Sequence, residues 1–184
     1  MEKIINELRK ISITSLLIAL ALVTNYSLIY IPNVKLMDSI VLLISYIFGF
    51  KYGLFSAILI WLIYGTFNPY GSNLIVLIMT TSGEIFYVIF GVLLKRIISP
   101  EQLLNNPIEN VFKISLFIFL PTFLYDLYTN SLTGIIWYNS IILGIISGTL
   151  FSILHQIANI LIAPVVFLTV LRMLKFNGWE IWKK

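Results

Sequence analysis

Cysteine is absent from this chain of 184 residues, and charged side chains are scarce. The absence of cysteine excludes disulfide bonds and thiolate metal sites. Only 11% of the residues are charged and 59% are hydrophobic, whereas a typical soluble domain is about one quarter charged. The apolar runs are continuous and do not alternate with polar residues, which disfavours a β-barrel. This composition predicts an all-α polytopic membrane protein.

Motifs for several kinds of chemistry are also missing. The chain has one histidine and no acidic or histidine cluster with the spacing of a metal site. It has no Walker A loop, so the chain alone cannot use a nucleotide to drive transport. We therefore expect no metal, no cofactor and no catalytic residue. The net charge of +4 bears on membrane topology and does not indicate nucleic-acid binding.

The apolar segments predict six membrane crossings. Four segments, 11–31, 39–50, 54–67 and 73–94, each predict one crossing, and residues 114–174 have room for two or three. Six crossings with both termini in the cytoplasm leave Lys35 as the only cation outside, as the positive-inside rule favours. We expect one domain, 1–184, in the cell membrane: a compact six-helix bundle with a partly helical outer loop, roughly 133–147, before the last helix. Ser99 and Gln102 predict a capping box and a short surface helix between the fourth and fifth crossings.

Ionisable residues inside these apolar segments are the candidate functional residues. Glu84, Asp126 and His155 lie on three predicted helices, and an ionisable group at bilayer depth usually faces the bundle interior or water. We predict a shared polar pocket in the outer half of the bundle. Alternatives stay open: a carboxyl that only joins helices, and an interfacial aromatic belt. Asp38 and Lys35 are interpreted as markers of the outer loop. The predicted substrate-binding residues are Glu84, Tyr87, Asp126, Asn130, Trp137, Tyr138, His155 and Asn159.

Two pairs of small residues have the spacing of close helix contacts. Ser15 and Ala19 lie on one face of the first predicted helix, and Gly144 and Gly148 form a second pair. Small residues let two helices approach closely. Packing inside the chain and docking of an external partner helix are both open readings of these pairs.

Two stretches, YIPNVKLMDSIVLLISYIFGFKYGLFSAIL and GTLFSILHQIANILIAPVVFLTVLRML, resemble the substrate-binding S components of energy-coupling-factor transporters. The resemblance covers nearly the whole chain in layout. It implies a subunit that captures a vitamin or related small soluble molecule from outside. It also implies that Ser15 and Ala19 dock on a transmembrane coupling protein, which sits on cytoplasmic ATPases. The resemblance places the pocket among the fourth to sixth helices.

Two other functions compete with this one. A small membrane enzyme would use Glu84, Asp126 and His155 as acid and base groups, but it would also need a nucleophile or a metal. A structural subunit without a ligand would tolerate amides in place of Glu84 and Asp126. The sequence favours a transport subunit that is not itself an enzyme, whose partners are a small-molecule substrate, the lipid bilayer, the coupling protein and the ATPases.

Overall fold

The structure, a computed structural model, is almost entirely helical. It describes residues 2–69 and 73–178, apart from the side chains of Glu2 and Pro107. Helix makes up 87% of the described residues, and no strand occurs among them. The helices of this described part are α1 (Glu2–Ser27), α2 (Met37–Phe48), α3 (Phe50–Thr66), α4 (Leu74–Gly83), α5 (Ile85–Ile97), α6 (Pro100–Asn105), α7 (Pro107–Tyr138) and α8 (Ile141–Phe176).

Within the described residues, three helical segments are long and apolar enough to cross a membrane: Leu74–Ile97, Ile108–Tyr138 and Ile141–Phe176. Two shorter apolar helices, Met37–Phe48 and Phe50–Thr66, lie beside them. Many large apolar side chains on the outside of the bundle are exposed, as expected for helices that face lipid. The number of crossings and the side of the membrane on which the termini lie stay predictions.

Helix α2 forms the centre of the bundle. All of its residues from Met37 to Ile47 are buried, although twelve residues make a helix only about 18 Å long. Helices α1, α3, α5 and α8 pack around it. At Gly91 of α5 an added Cβ would lie 2.4 Å from the carbonyl oxygen of Leu42, so glycine permits this close contact between α5 and α2.

The fourth predicted crossing is interrupted in its middle. Helix α4 ends at Gly83 and α5 begins at Ile85, with Glu84 between them at φ −60° and ψ −17°. The backbone amide of Glu84 still donates to the carbonyl of Thr80 at 3.3 Å, so the two helices continue in nearly the same direction. The break lies at the buried carboxyl, within what would otherwise be one apolar helix.

The predicted short surface helix is confirmed. Helix α6 begins after Ser99, whose hydroxyl accepts a hydrogen bond from the Gln102 amide, while the Gln102 side chain accepts one from the Ser99 amide. This reciprocal pair is the capping box expected from the sequence. It fixes the turn between α5 and α7.

The predicted outer loop at 133–147 is wrong. Helix α7 continues to Tyr138 and α8 starts at Ile141, so only Asn139 and Ser140 form the turn. Asn139 takes a left-handed conformation, with φ 49°, and the Ser140 amide donates to the Gly134 carbonyl at 3.0 Å. Gly134 and Gly144, which lie within this range, let α7 and α8 pack closely as a helical hairpin. An added Cβ on Gly144 would lie 2.4 Å from the Cα of Gly134.

Candidate functional site

A buried histidine joins three helices. His155 of α8 is 2% exposed, and its Nε2 lies 2.6 Å from Oδ2 of Asp38 in the first turn of α2. Its Nδ1 lies 2.9 Å from Oδ1 of Asp126 on α7. A neutral imidazole carries one N–H, so it can donate to only one of two carboxylates. Both contacts are therefore satisfied only when the ring is an imidazolium or when one carboxyl is protonated.

Asn159 extends these contacts one helical turn along α8. Its Nδ2 donates to Oδ2 of Asp38 at 3.0 Å and to Oγ1 of Thr122 at 3.0 Å. The hydroxyl of Tyr87 donates to the same Thr122 oxygen at 3.2 Å. Asp38, Thr122, Tyr87 and Asn159 are all nearly or fully buried. The polar contacts therefore run from α2 through α8 to α7 and α5.

Glu84 lies at the α4–α5 break and is fully buried. Its Oε1 accepts a hydrogen bond from the indole nitrogen of Trp61 at 2.9 Å. The ammonium of Lys35, in the α1–α2 connection, lies 4.9 Å from the centre of the Trp61 ring, a cation–π distance. Asp38 is near enough to Glu84 for their charges to interact. We call Asp38, Glu84, Asp126, His155 and Asn159 the acid cluster.

Besides Oδ2 of Asp126, two oxygens of the acid cluster are buried without a hydrogen-bond partner. They are Oε2 of Glu84 and Oδ1 of Asn159, and both are acceptors. A buried polar atom without a partner costs about 1–3 kcal/mol, so such atoms in a native structure call for an explanation. Both atoms can accept a hydrogen bond from an N–H or O–H group that enters the cluster.

A groove opens between α7 and α8, and Asp126, which contacts His155 through one oxygen, also lines this groove. Its volume is about 480 Å³. Asp126 contributes one wall, and Oδ2 of Asp126 is buried without a hydrogen-bond partner. Asn130 also lines this groove, where its Nδ2 donates to Oγ of Ser152 at 2.9 Å. Asp126 therefore contacts His155 through Oδ1 and also borders the α7–α8 groove.

The structure brings five of the eight predicted site residues into hydrogen-bonding range of the cluster: Glu84, Tyr87, Asp126, His155 and Asn159. Asn130 lies one turn further along α7, in the groove. Trp137 and Tyr138 are 46% and 49% exposed at the end of α7. Eleven residues of helix, about 16 Å, separate Trp137 from Asp126, so neither aromatic ring belongs to the cluster.

The interpretation of Asp38 as a marker of the outer loop is wrong. Asp38 is 1% exposed and contacts both His155 and Asn159. An acidic residue in the first turn of a fully apolar helix was the available signal, because nothing in that segment compensates its charge. Trp61 was also missed, since a single tryptophan in an apolar helix does not reveal its partner. Within the described residues, no group of three or more histidine, cysteine or acidic side chains has metal-binding geometry.

The predicted docking residues lie on the outside of the bundle. Ser15 and Ala19 are both exposed on α1, whereas Thr14 and Ile18 beside them are buried. Near the start of α1, hydrogen bonds from Lys10 and Tyr52 hold the pKa of Glu7 below its ordinary value. The exposed surface of α1 thus carries an ionised carboxylate, that of Glu7, near the start of the helix at neutral pH. The other small pair packs internally, because Gly144 contacts α7 and an added Cβ on Gly148 would overlap the Asn130 side chain.

Comparison with family models, with curated proteins and with solved structures found no significant match for this chain.

Proposed function

We propose that this chain is the substrate-capture subunit of a membrane importer. It binds a small soluble molecule, a vitamin or a related compound, in the acid cluster and relies on a separate coupling protein and on ATPases for energy. The proposal combines the resemblance of the sequence to S components with the chemistry of a buried polar site in an apolar bundle. An intramembrane ionisable group is a functional candidate by default because it is costly to keep.

The buried acceptors of the acid cluster carry the proposal. Oε2 of Glu84 and Oδ1 of Asn159 lie on different helices and have no partner. Both need a donor, so the ligand that fits them presents N–H or O–H groups. Hydrogen bonds from a charged donor to a carboxylate are about twice as strong as those between neutral groups.

The charges of the cluster favour a cationic ligand. Asp38 interacts with the carboxyl groups of both Glu84 and Asp126, and the imidazole of His155 contacts Asp38 and Asp126. The ammonium of Lys35 interacts with all three carboxyl groups. Even with both cations charged, one carboxyl lacks a counter-charge. A proton or a cationic ligand supplies it.

The external face of α1 supports the proposal that the chain docks on a separate coupling protein. Ser15 and Ala19 are exposed, so an approaching helix meets small side chains there. A coupling protein docked on this face would not cover the acid cluster, whose residues lie on α2, α7 and α8 and at the α4–α5 break. Capture and coupling would then use separate surfaces of the bundle.

The arrangement of His155 disfavours the enzyme alternative. Both ring nitrogens contact carboxylates, so neither is free to take a proton from a nucleophile or a water molecule. A catalytic histidine paired with an aspartate keeps its second nitrogen for the reacting group. A histidine whose two ring nitrogens both contact carboxylates is better suited to join helices inside a binding site than to transfer a proton.

Native mass spectrometry of the gently purified protein tests the proposed function. We expect a co-purified small molecule that is positively charged and carries N–H donors, released when the protein is unfolded in the instrument. Glu109→Gln, on an exposed glutamate paired with Lys113, is the control and should retain the molecule. A wild-type protein with no bound small molecule, or with an anionic one, would contradict the proposal.

A further inference from the structure

The groove between α7 and α8 has a polar centre in an apolar wall. Phe119, Phe123 and Leu127 line it from α7, and Ile153 and Ile157 from α8. These five side chains are between 39% and 52% exposed, so the groove opens to the outside of the bundle. On the membrane-facing surface of an apolar hairpin, a groove of this kind is accessible to the chains of membrane amphiphiles.

Polar atoms at the centre of this groove have no partner within the protein. They are Oδ2 of Asp126 and both amide atoms of Gln156. Each has less than 1 Å² of exposed area, so a headgroup reaches them only when neighbouring side chains of the groove move aside. By contrast, Asn130 and Ser152, a turn away, satisfy each other. A carboxylate oxygen and an amide carbonyl that both lack donors mark a binding site for N–H groups.

The depth of Asp126 lets a membrane headgroup approach it. Asn33, in the α1–α2 connection, donates to the carbonyl of Phe151 on α8 at 3.0 Å. His155, which contacts Asp126, is four residues further along α8, about 6 Å of helix. Asp126 therefore lies only one helical turn below the α1–α2 connection, which the topology prediction places at the outer surface.

We infer that the α7–α8 groove binds a membrane amphiphile with a primary ammonium headgroup. The ammonium donates to Oδ2 of Asp126 and to the carbonyl of Gln156, and the apolar chain lies along Phe119, Phe123 and Ile157. The opposite charges of the carboxylate and the ammonium select this occupant over a neutral or anionic lipid. The groove site shares Asp126 with the capture site but uses its other oxygen, because Oδ1 of Asp126 contacts His155 and Oδ2 meets the headgroup.

Photolabelling in lipid nanodiscs tests this inference. The probe is dodecylamine with a diazirine in its chain, and its labelling sites are mapped by peptide mass spectrometry. We expect labels in 119–127 and 153–160, which unlabelled dodecylamine competes away and dodecanol does not. Asp126→Asn should weaken the competition by about tenfold or more, because it removes the charge that the ammonium contacts.

Two further variants separate the groove from the capture site and from a folding defect. Ile153→Trp should abolish the groove labels by filling the groove, whereas Leu161→Trp, at an exposed α8 position outside it, should not. Glu84→Gln should leave the labels unchanged. Labelling that dodecanol competes equally well, or that survives Ile153→Trp, would show simple partitioning and overturn the inference. Cross-links from groove residues to a second copy or another protein would overturn it too, in favour of a protein contact.

Discussion

His155 shows how one side chain can hold three helices together. It lies between carboxylates of α2 and α7, and both of its contacts are shorter than 3 Å. Each carboxylate would be costly to bury alone, since a buried charge needs a partner or a proton. The histidine gives both of them a shared partner at the cost of placing a third ionisable group in the same space. Stability and the proposed ligand binding would therefore depend on the same residue.

Removing this bridge should destabilise the fold strongly. His155→Ala leaves Asp38 and Asp126 buried without their common partner, and breaking a buried ion pair costs about 3–5 kcal/mol. We expect a loss of this size in the free energy of unfolding, measured by denaturant titration in one detergent. Leu154→Ala, at the adjacent and 40% exposed position, serves as the control and should cost clearly less. Equal stability of His155→Ala and the control would show that the bridge contributes nothing.

At the scale of helices, the α7–α8 hairpin positions both candidate sites. It sets Asp126 against His155 and leaves the groove on its outer side. Gly134 and Gly144 allow the two helices to come close near the turn, and the Gly148 position leaves room for the Asn130 side chain. Any residue larger than glycine at 144 must push the helices apart.

Gly144→Ala tests this close contact. The added Cβ would lie 2.3 Å from the carbonyl oxygen of Asn130, and overpacking of this kind typically costs about 1–3 kcal/mol. We expect a lower unfolding temperature than for Ser147→Ala, a change at an exposed position of the same helix. If the two variants had the same unfolding temperature, the helices would not be in contact at Gly144.

Helix-scale features also show where prediction from sequence succeeds and fails. Apolar length and the Ser99 capping signal gave the positions of most helices, because those signals are local. The outer loop at 133–147 was wrong because a count of charges on each side of the membrane cannot distinguish a loop from a tight helical turn. Asp38 was misread because its partners are 117 and 121 residues away, and a single sequence carries no signal of that contact.

For the whole molecule, the arrangement is an apolar bundle around a small, acid-rich polar interior. The cluster lies where α2, α5, α7 and α8 meet, and Ser15 and Ala19 lie on the outer surface of α1. Such a separation suits a protein that receives a ligand at one surface and contacts a partner at another. That both termini face the cytoplasm stays a prediction.

Isothermal titration with the molecule that native mass spectrometry identifies tests the central claim most directly. Glu84→Gln keeps the size of the side chain and an oxygen that can accept from Trp61, but it removes the carboxyl group that a cationic ligand would pair with. We predict that this variant binds more weakly by about 1.5–3 kcal/mol, the range for hydrogen bonds to charged groups, while Glu109→Gln binds like the wild type. Unchanged affinity in both Glu84→Gln and Asp126→Asn would contradict a capture site built on the buried carboxyls.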